Sequence, residues 1–401
     1  MLKKLLLPIV FLTFKTAFSQ IHIIEEISAL NNIIKPISTF KSEDSFEDIS
    51  FLKTPLKNAT VIGIGESTHG TALYNTYRQR LIRFLVQEMG YKAILNEGDI
   101  LAAEKIDAYI NNQTDGLEFI GNIQPVLLNK AELNWLRAYN KNKPQSESVH
   151  VYGMEVRGFY GIISRIKDFQ QFTSVDEDVL KKFTADVGVG YKNLTKSDFK
   201  NIKAIAIKLS TDCNSAWCKT YLPLLNQQII FAYRQRFGRN DFNVRDNYMF
   251  ENTKDIVAKA QGNKAIVLAH NGHVQKTKFG KSPSLGYRLN SFYRDKYFVI
   301  ATDFGAGNVT VFDEKSKDYK SRYFEAVDDK KAIEYYFQQC KYPNFILYIP
   351  DALNNPEIKP LVTERTKMLR NMGSTGTIID WPIRLSDNYD MIIFFSNTAS
   401  Q

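Results

Sequence analysis

Cysteine is scarce in this chain. Three in 401 residues cannot build a disulfide framework and permit one intramolecular bridge at most. Cys213 and Cys218, five positions apart inside an expected helical hairpin, form the natural pair and leave Cys340 buried and reduced; their spacing is not a zinc motif. Glycine (21) and proline (12) both fall below average, which excludes collagen-like, low-complexity and linker-dominated chains. No later segment is apolar for the roughly 20 residues that a bilayer crossing needs, and Leu5–Phe14 is half that length. That stretch follows the basic Met1–Lys4 and precedes Ala17-Phe18-Ser19. Residues 1–19 therefore read as a secretory signal peptide cut before Gln20, and the mature chain is expected to be periplasmic or secreted.

Charge of one sign is not in large excess. Lys and Arg exceed Asp and Glu by 52 to 43, a net +9, and losing residues 1–19 removes Lys3, Lys4 and Lys15 to leave +6. No arginine-rich helix, zinc-finger spacing or aromatic RNA-binding signature accompanies that surplus, so a nucleic-acid partner is not expected. The basic groups Lys315–Arg322 and Arg234–Arg239 read as solvated faces.

What the sequence does contain is an alternation of short apolar runs with amphipathic segments, the pattern of a mostly parallel α/β sheet. Strands are expected over Ala59–Gly65, Tyr91–Asn96, Val149–Met154, Lys264–Ala269, Lys296–Thr302, Asn344–Ile349 and Met391–Ser396. Helices are expected over Thr71–Met89, Leu101–Ile110, Lys130–Tyr139 and Asp246–Ala260. Between about Phe159 and Arg239 the strands stop and helical periodicity takes over, as in Asp176–Ala185, Phe199–Leu209 and Leu222–Arg236. The expected architecture is a three-layer α/β/α core, residues 20–158 and 241–401, interrupted by a helical cap over 159–240.

In open α/β sheets, ligands bind at the carboxyl ends of the strands. The first strand runs into Gly65-Glu66-Ser67-Thr68-His69-Gly70-Thr71, the second ends at Glu97, the third at Glu155, and the run KAIVLA at His270-Asn271-Gly272-His273. Only five histidines are present, and three of them lie in these two loops. Histidine titrates near neutrality and serves as general base or acid, and a carboxylate beside it fixes its tautomer. Glycines 63, 65 and 70 would let the backbone turn sharply at the site. The segment Gly63–Ser67 is not a dinucleotide loop, because Thr68 stands where the third glycine belongs, and Ser67 is not in a nucleophile elbow. A zinc or manganese site built from Glu66, His69, Glu97 and His270 is chemically reasonable, although no compact metal signature appears. No cofactor is otherwise expected.

GESTHGT at 65–71, LNEGD at 95–99, RDNYMFEN at 245–252 and LAHNGHV at 268–274 together resemble the erythromycin esterase family. The resemblance runs from about residue 25 to the YDMIIFF segment near the end. It implies an α/β core related to the ChaN-type haem-binding lipoproteins, and hydrolysis of a macrolactone ester by activated water without a covalent intermediate. Carried over by motif, His69 is the general base, and Glu66 and Glu97 orient and polarise it. His270 stabilises the oxyanion or passes a proton to the leaving alkoxide. Arg78 holds the carboxylate network or the substrate, and His273, Asn271 and Thr68 support the site. Glu155 stands where family members often have aspartate. The cap and its aromatic side chains would supply the large apolar cleft that a macrolide requires.

The expected function is thus an exported carboxylic ester hydrolase acting on a small-molecule substrate, a 14-membered macrolide such as erythromycin. Two other readings stay open: a related hydrolase acting on another ester or an exopolysaccharide, and a binding protein that holds haem or a metal without turnover.

Overall fold

The computed structural model describes residues 22–69, 71–116, 128–185, 191–238, 241–260, 264–364, 366–378 and 382–398. The expected signal peptide and Gly70 lie outside the described residues. Among those described, no helix is long and apolar enough to cross a membrane.

The frame is one twisted sheet of β1 (Lys35–Pro36), β2 (Val61–Glu66), β3 (Ala93–Asp99), β4 (His150–Glu155), β5 (Ala265–His270), β6 (Tyr297–Asp313), β7 (Asp318–Phe324), β8 (Asn344–Tyr348) and β9 (Met391–Asn397). Their order is β1-β8-β9-β6-β2-β5-β3-β4, with β7 folded back on β6. Pairing is parallel from β9 through β6, β2, β5 and β3 to β4, and antiparallel at β1/β8, β8/β9 and β6/β7. The parallel strands are apolar on both faces because both are covered: β2 and β5 are buried at every position. Chain order reverses around β2, since β5 inserts between β2 and β3 while β6 lies on the far side. That reversal opens the crevice at the carboxyl ends where Glu66 and His270 face each other in register.

Helix α1 covers residues 22–33, followed in chain order by α2 (Ala72–Met89), α3 (Ile100–Ile110), α4 (Lys130–Asn140), α5 (Phe159–Lys167), α6 (Ser174–Ala185), α7 (Lys196–Asp212), α8 (Ala216–Phe237), α9 (Asp241–Lys259), α10 (Asn271–Val274) and α11 (Leu285–Tyr293). Ile62, Ile64, Ile94 and Ile266 point to the face where Tyr74, Leu81 and Leu85 of α2 pack with Leu133 of α4. Val61, Leu95, Val267 and Val299 point to the other, under Leu30 of α1, Met249 and Val257 of α9, and Leu289 of α11. This confirms the three layers. Helices α5–α8 hold their own apolar cluster, with Phe159, Phe183 and Phe199 in edge-to-face contact. The capping box Thr195–Asp198 starts α7. Cys213 and Cys218 are bridged across the α7–α8 turn, with Cα atoms 6.1 Å apart. Cys340 is free but only half-buried.

The differences from expectation have physical reasons. Strand β6 continues eleven residues beyond Thr302, and β7 folds back on it as a long hairpin whose charged residues hid it. Helix α8 begins six residues before Leu222 because it runs through Pro223. Gly63 and Gly65 sit inside β2 and do not turn the chain. They make room: a Cβ on Gly63 would meet the Tyr297 hydroxyl, and one on Gly65 would lie 2.2 Å from Asn271 Oδ1.

Candidate active site

Four strand ends and two helices, α2 and α9, assemble the site. β2 delivers Glu66, and the loop after it carries Ser67, Thr68 and His69 up to α2. His69 Nδ1 lies 2.6 Å from Glu66 Oε1. A carboxylate only accepts, so Nδ1 carries the proton and Nε2 is left as the basic nitrogen of the neutral ring. The other oxygen of Glu66 takes the Arg78 Nη1 bond at 2.7 Å, and Arg78 also reaches Asn75 one turn earlier on α2. The Arg78 and Glu66 side chains are 5% and 3% exposed, so Arg78 serves the carboxylate and is not a solvated helix arginine. His69 keeps 23% exposure, on the wall of a cavity of about 700 Å³. Burial disfavours its protonation, but the Glu66 bond and the charges of Glu97 and Glu66 outweigh that and raise its pKa above the usual 6.5.

A second constellation centres on Arg245, which sequence reasoning quoted within a motif but did not assign. Its position in the first turns of α9 lets it reach three strand ends. Nε and Nη2 clamp Glu155 at 2.6 and 2.7 Å, Nη2 also donates to Glu97 Oε1 at 2.8 Å, and Nη1 lies 3.2 Å from His273 Nε2. Glu97 Oε2 accepts the backbone N–H of His270 at 3.0 Å. Burial opposes the charges of Glu97 and Glu155; for Glu97 His273 and Arg245 prevail and hold its carboxyl well below the usual range, and for Glu155 Arg245 prevails and lowers it. His273 Nδ1 donates to Asp246 Oδ2 at 2.9 Å, and Asp246 also accepts the Leu285 N–H. Burial lowers the His273 pKa, but Asp246 and Glu97 raise it more. Asp246 is completely buried and was likewise not assigned from sequence. The signal was available: RDNYMFEN puts Arg and Asp adjacent at the start of a helix.

Arg157 completes this group. It donates from Nε to Glu155 Oε1 at 2.8 Å and from Nη2 to the Glu97 carbonyl at 3.0 Å, yet its side chain remains 45% exposed on the cavity wall. Asp99 fixes the local geometry, capping α3 through the Ala102 N–H and accepting the Arg157 N–H.

His270 differs from its expected role. Gly272 N–H donates to its Nδ1 at 3.1 Å, which places the ring proton on Nε2, 3.1 Å from the Ser67 carbonyl. Gly373 N–H, 3.0 Å from Nε2, finds its acceptor in the same carbonyl at 3.2 Å. Burial and the neighbouring His69 push the His270 pKa down to about 3. With both nitrogens bonded to backbone, His270 spends its ring proton on the Ser67 carbonyl and not on the cavity in this conformation. Asn271 and Thr68 are fully buried, away from the cavity: Asn271 donates to the Thr302 carbonyl at 2.9 Å, tying β5 to β6, and Thr68 meets the Thr71 hydroxyl. The expected metal set fares no better. Glu66 and Glu97 are committed to cations, and among the described residues the side chains that converge within metal-ligand reach are the exposed His22, Glu25 and Glu357.

The apolar wall is also not the cap's. It comes from Phe242 of α9, stacked on His273 with ring centroids 5.0 Å apart, and from Phe279, Met372 and Tyr319. Gly373 (φ +67°) closes the floor: a side chain there would be strained and nothing lies nearer to its Cβ position than His270 Nε2 at 3.9 Å.

The geometry can be set beside known proteins. The chain is 22% identical to erythromycin esterase type II of Escherichia coli over 337 residues, 72% of this chain and 79% of that protein. It superimposes on the solved structure of a succinoglycan biosynthesis protein with a TM-score of 0.76 at 20% identity, covering 92% and 96% of the two chains. It also superimposes on erythromycin esterase EreC in an open conformation, with a TM-score of 0.69 at 15% identity over 90% and 97%. These likenesses agree on the fold. The model of the family described as erythromycin esterase matches residues 86–398, beginning near the end of α2, after Glu66, His69 and Arg78, and taking in Glu97, Glu155, Arg245, His270 and His273, and the chain belongs to that family.

Proposed function

We propose that the protein is an exported hydrolase that opens a cyclic ester, a 14-membered macrolactone such as erythromycin, with water as the nucleophile. The observation that carries this reading is the buried Arg78–Glu66–His69 relay, ending in an imidazole on the wall of a cavity of about 700 Å³. Neutral His69 removes a proton from water through Nε2 as the oxygen attacks the carbonyl carbon. Arg157, 45% exposed on the cavity wall, stabilises the tetrahedral oxyanion. The ring C–O bond then breaks, and the His69 imidazolium returns its proton to the departing alkoxide, leaving a hydroxy acid and a neutral base. Glu66 holds the ring tautomer and stabilises the imidazolium, with Arg78 fixing Glu66. Arg245 keeps Glu97 and Glu155 ionised side by side. Export is proposed from the basic and apolar character of residues 1–19.

Incubation with erythromycin, with and without chelator, followed by mass spectrometry for the gain of one water, tests the reading. General base help typically contributes about 10²–10⁴-fold, and His69→Ala should lose turnover on that scale. A His69→Ala protein that linearises the ring at the wild-type rate would sink the mechanism.

A further inference from the structure

The β6–β7 hairpin leaves the sheet beside the cavity and contributes Thr310 and Tyr319 to its wall. Cross-strand register pairs Asn308 with Tyr323, Thr310 with Ser321, and Phe312 with Tyr319. Opposite residues of an antiparallel pair share a face, so all six belong to the face that borders the cavity. Tyr319 and Tyr323 are 57% and 52% exposed, and Asn308, Thr310 and Ser321 are exposed with them. The hairpin's other face is used by the fold: Val309 and Val311 enter the core, and Arg322 lies over the Phe324 ring at 4.9 Å.

The pattern on this face states what it would recognise. The tyrosines flank a central row of hydroxyls, Thr310 and Ser321, with successive rows about 6.8 Å apart along the strand. None of the six positions carries a charge. Flat aromatic rings alternating with neutral donors and acceptors match a pyranose with equatorial hydroxyls, whose C–H face stacks on a ring while its rim is hydrogen-bonded. We propose that this face is a platform for a neutral glycosyl portion of the ester substrate, holding it so that the acyl carbon reaches His69. The proposal rests on the hydrolase reading above. The occupant is the substrate itself, because the platform is continuous with the catalytic cavity through Thr310 and Tyr319.

Titration calorimetry of the full chain with cellohexaose tests it. Wild type is expected to bind saturably, and Tyr319→Ala and Tyr323→Ala each to bind roughly tenfold more weakly, equivalent to about 1.4 kcal/mol. Tyr319→Phe, which keeps the ring, should bind within a few-fold of wild type, and His69→Ala should bind unchanged. Absence of saturable binding to wild type, or equal binding by both alanine variants, overturns the platform. Erythromycin turnover with no cellohexaose binding removes the platform and leaves the hydrolase; cellohexaose binding with no turnover of any ester removes the hydrolase reading.

Discussion

Glu66→Gln is the substitution that most directly probes how the relay works, and its effects are readable without any substrate. In the native protein the two Glu66 oxygens serve different donors, His69 at 2.6 Å and Arg78 at 2.7 Å, with both carboxylate and guanidinium almost wholly buried. Glutamine keeps one acceptor and replaces the other with a donor, so either the His69 N–H or the Arg78 guanidinium faces an N–H. Removing one partner of a buried pair costs about 3–5 kcal/mol when the other is left uncompensated. Asn75 still accepts from Arg78, which places the expected loss toward the lower end. The sharper consequence is at His69. Burial lowers its pKa and only the carboxylates raise it; without the Glu66 charge and bond, the imidazole should titrate at lower pH than in wild type. The sign for stability follows. With a folded pKa above the unfolded 6.5, His69 contributes stability that is complete below 6.5 and disappears as pH rises through the folded value. The variant should therefore lose less stability than wild type on the alkaline side. Following the His69 ring carbon resonance by NMR across roughly pH 4 to 9 measures the shift directly. A His69 titration that stays put or moves upward in Glu66→Gln refutes the relay.

His270 predicts the opposite pH dependence. Its folded pKa of about 3 lies below the unfolded 6.5, so stability drains away as pH falls from 6.5 toward 3, by roughly 4–5 kcal/mol in all. A His270→Gln variant should show a correspondingly shallower acid-side loss in thermal melts compared pH by pH with wild type, and parallel curves would contradict the assignment. Reduction of the Cys213–Cys218 bridge, or replacement of both by serine, releases a short loop worth about 2 kcal/mol in chain entropy. Hydrogen exchange should quicken at the α7–α8 turn and remain unchanged in β2 and β5; uniform quickening across the sheet would show that the cap is not an independent cluster.

The strand ends were legible because buried parallel strands need continuous apolar runs, and the residue where such a run stops is read directly: Glu66, Glu97, Glu155 and His270 all fall there. Their partnerships were less accessible. Nothing in spacing tells that Arg245, opening a helix some ninety residues after Glu155, is the clamp between Glu155 and Glu97, because that depends on how the cap returns the chain to the core. His270 was misjudged for a related reason: a histidine at a strand end is a candidate acid or base until both its nitrogens are found bonded to Gly272 and Ser67. The β6–β7 hairpin escaped because β7 is exposed at every position but Phe324 and carries Asp318, Lys320 and Arg322 where a strand signal would need Val or Ile.

The placement of Arg245 also dictates when the site can exist. Glu97 and Glu155 emerge in the first half of the chain, on the strand next to the edge of the sheet and on the edge strand itself, and the cation that clamps them side by side follows only after the whole helical cap. Until α9 docks, the two carboxylates have only Arg157 beside them, bonded to the Glu155 carboxylate and the Glu97 carbonyl, and His273, which follows α9, has not been placed. A nascent or truncated chain ending within the cap also leaves β2 without either of its sheet neighbours, β5 and β6, so the Arg78–Glu66–His69 relay waits on the second half of the chain as well. Competence arrives late and all at once, as the last long-range contacts close, so that a partly folded chain displays the cavity's carboxylates before it acquires any of their chemistry.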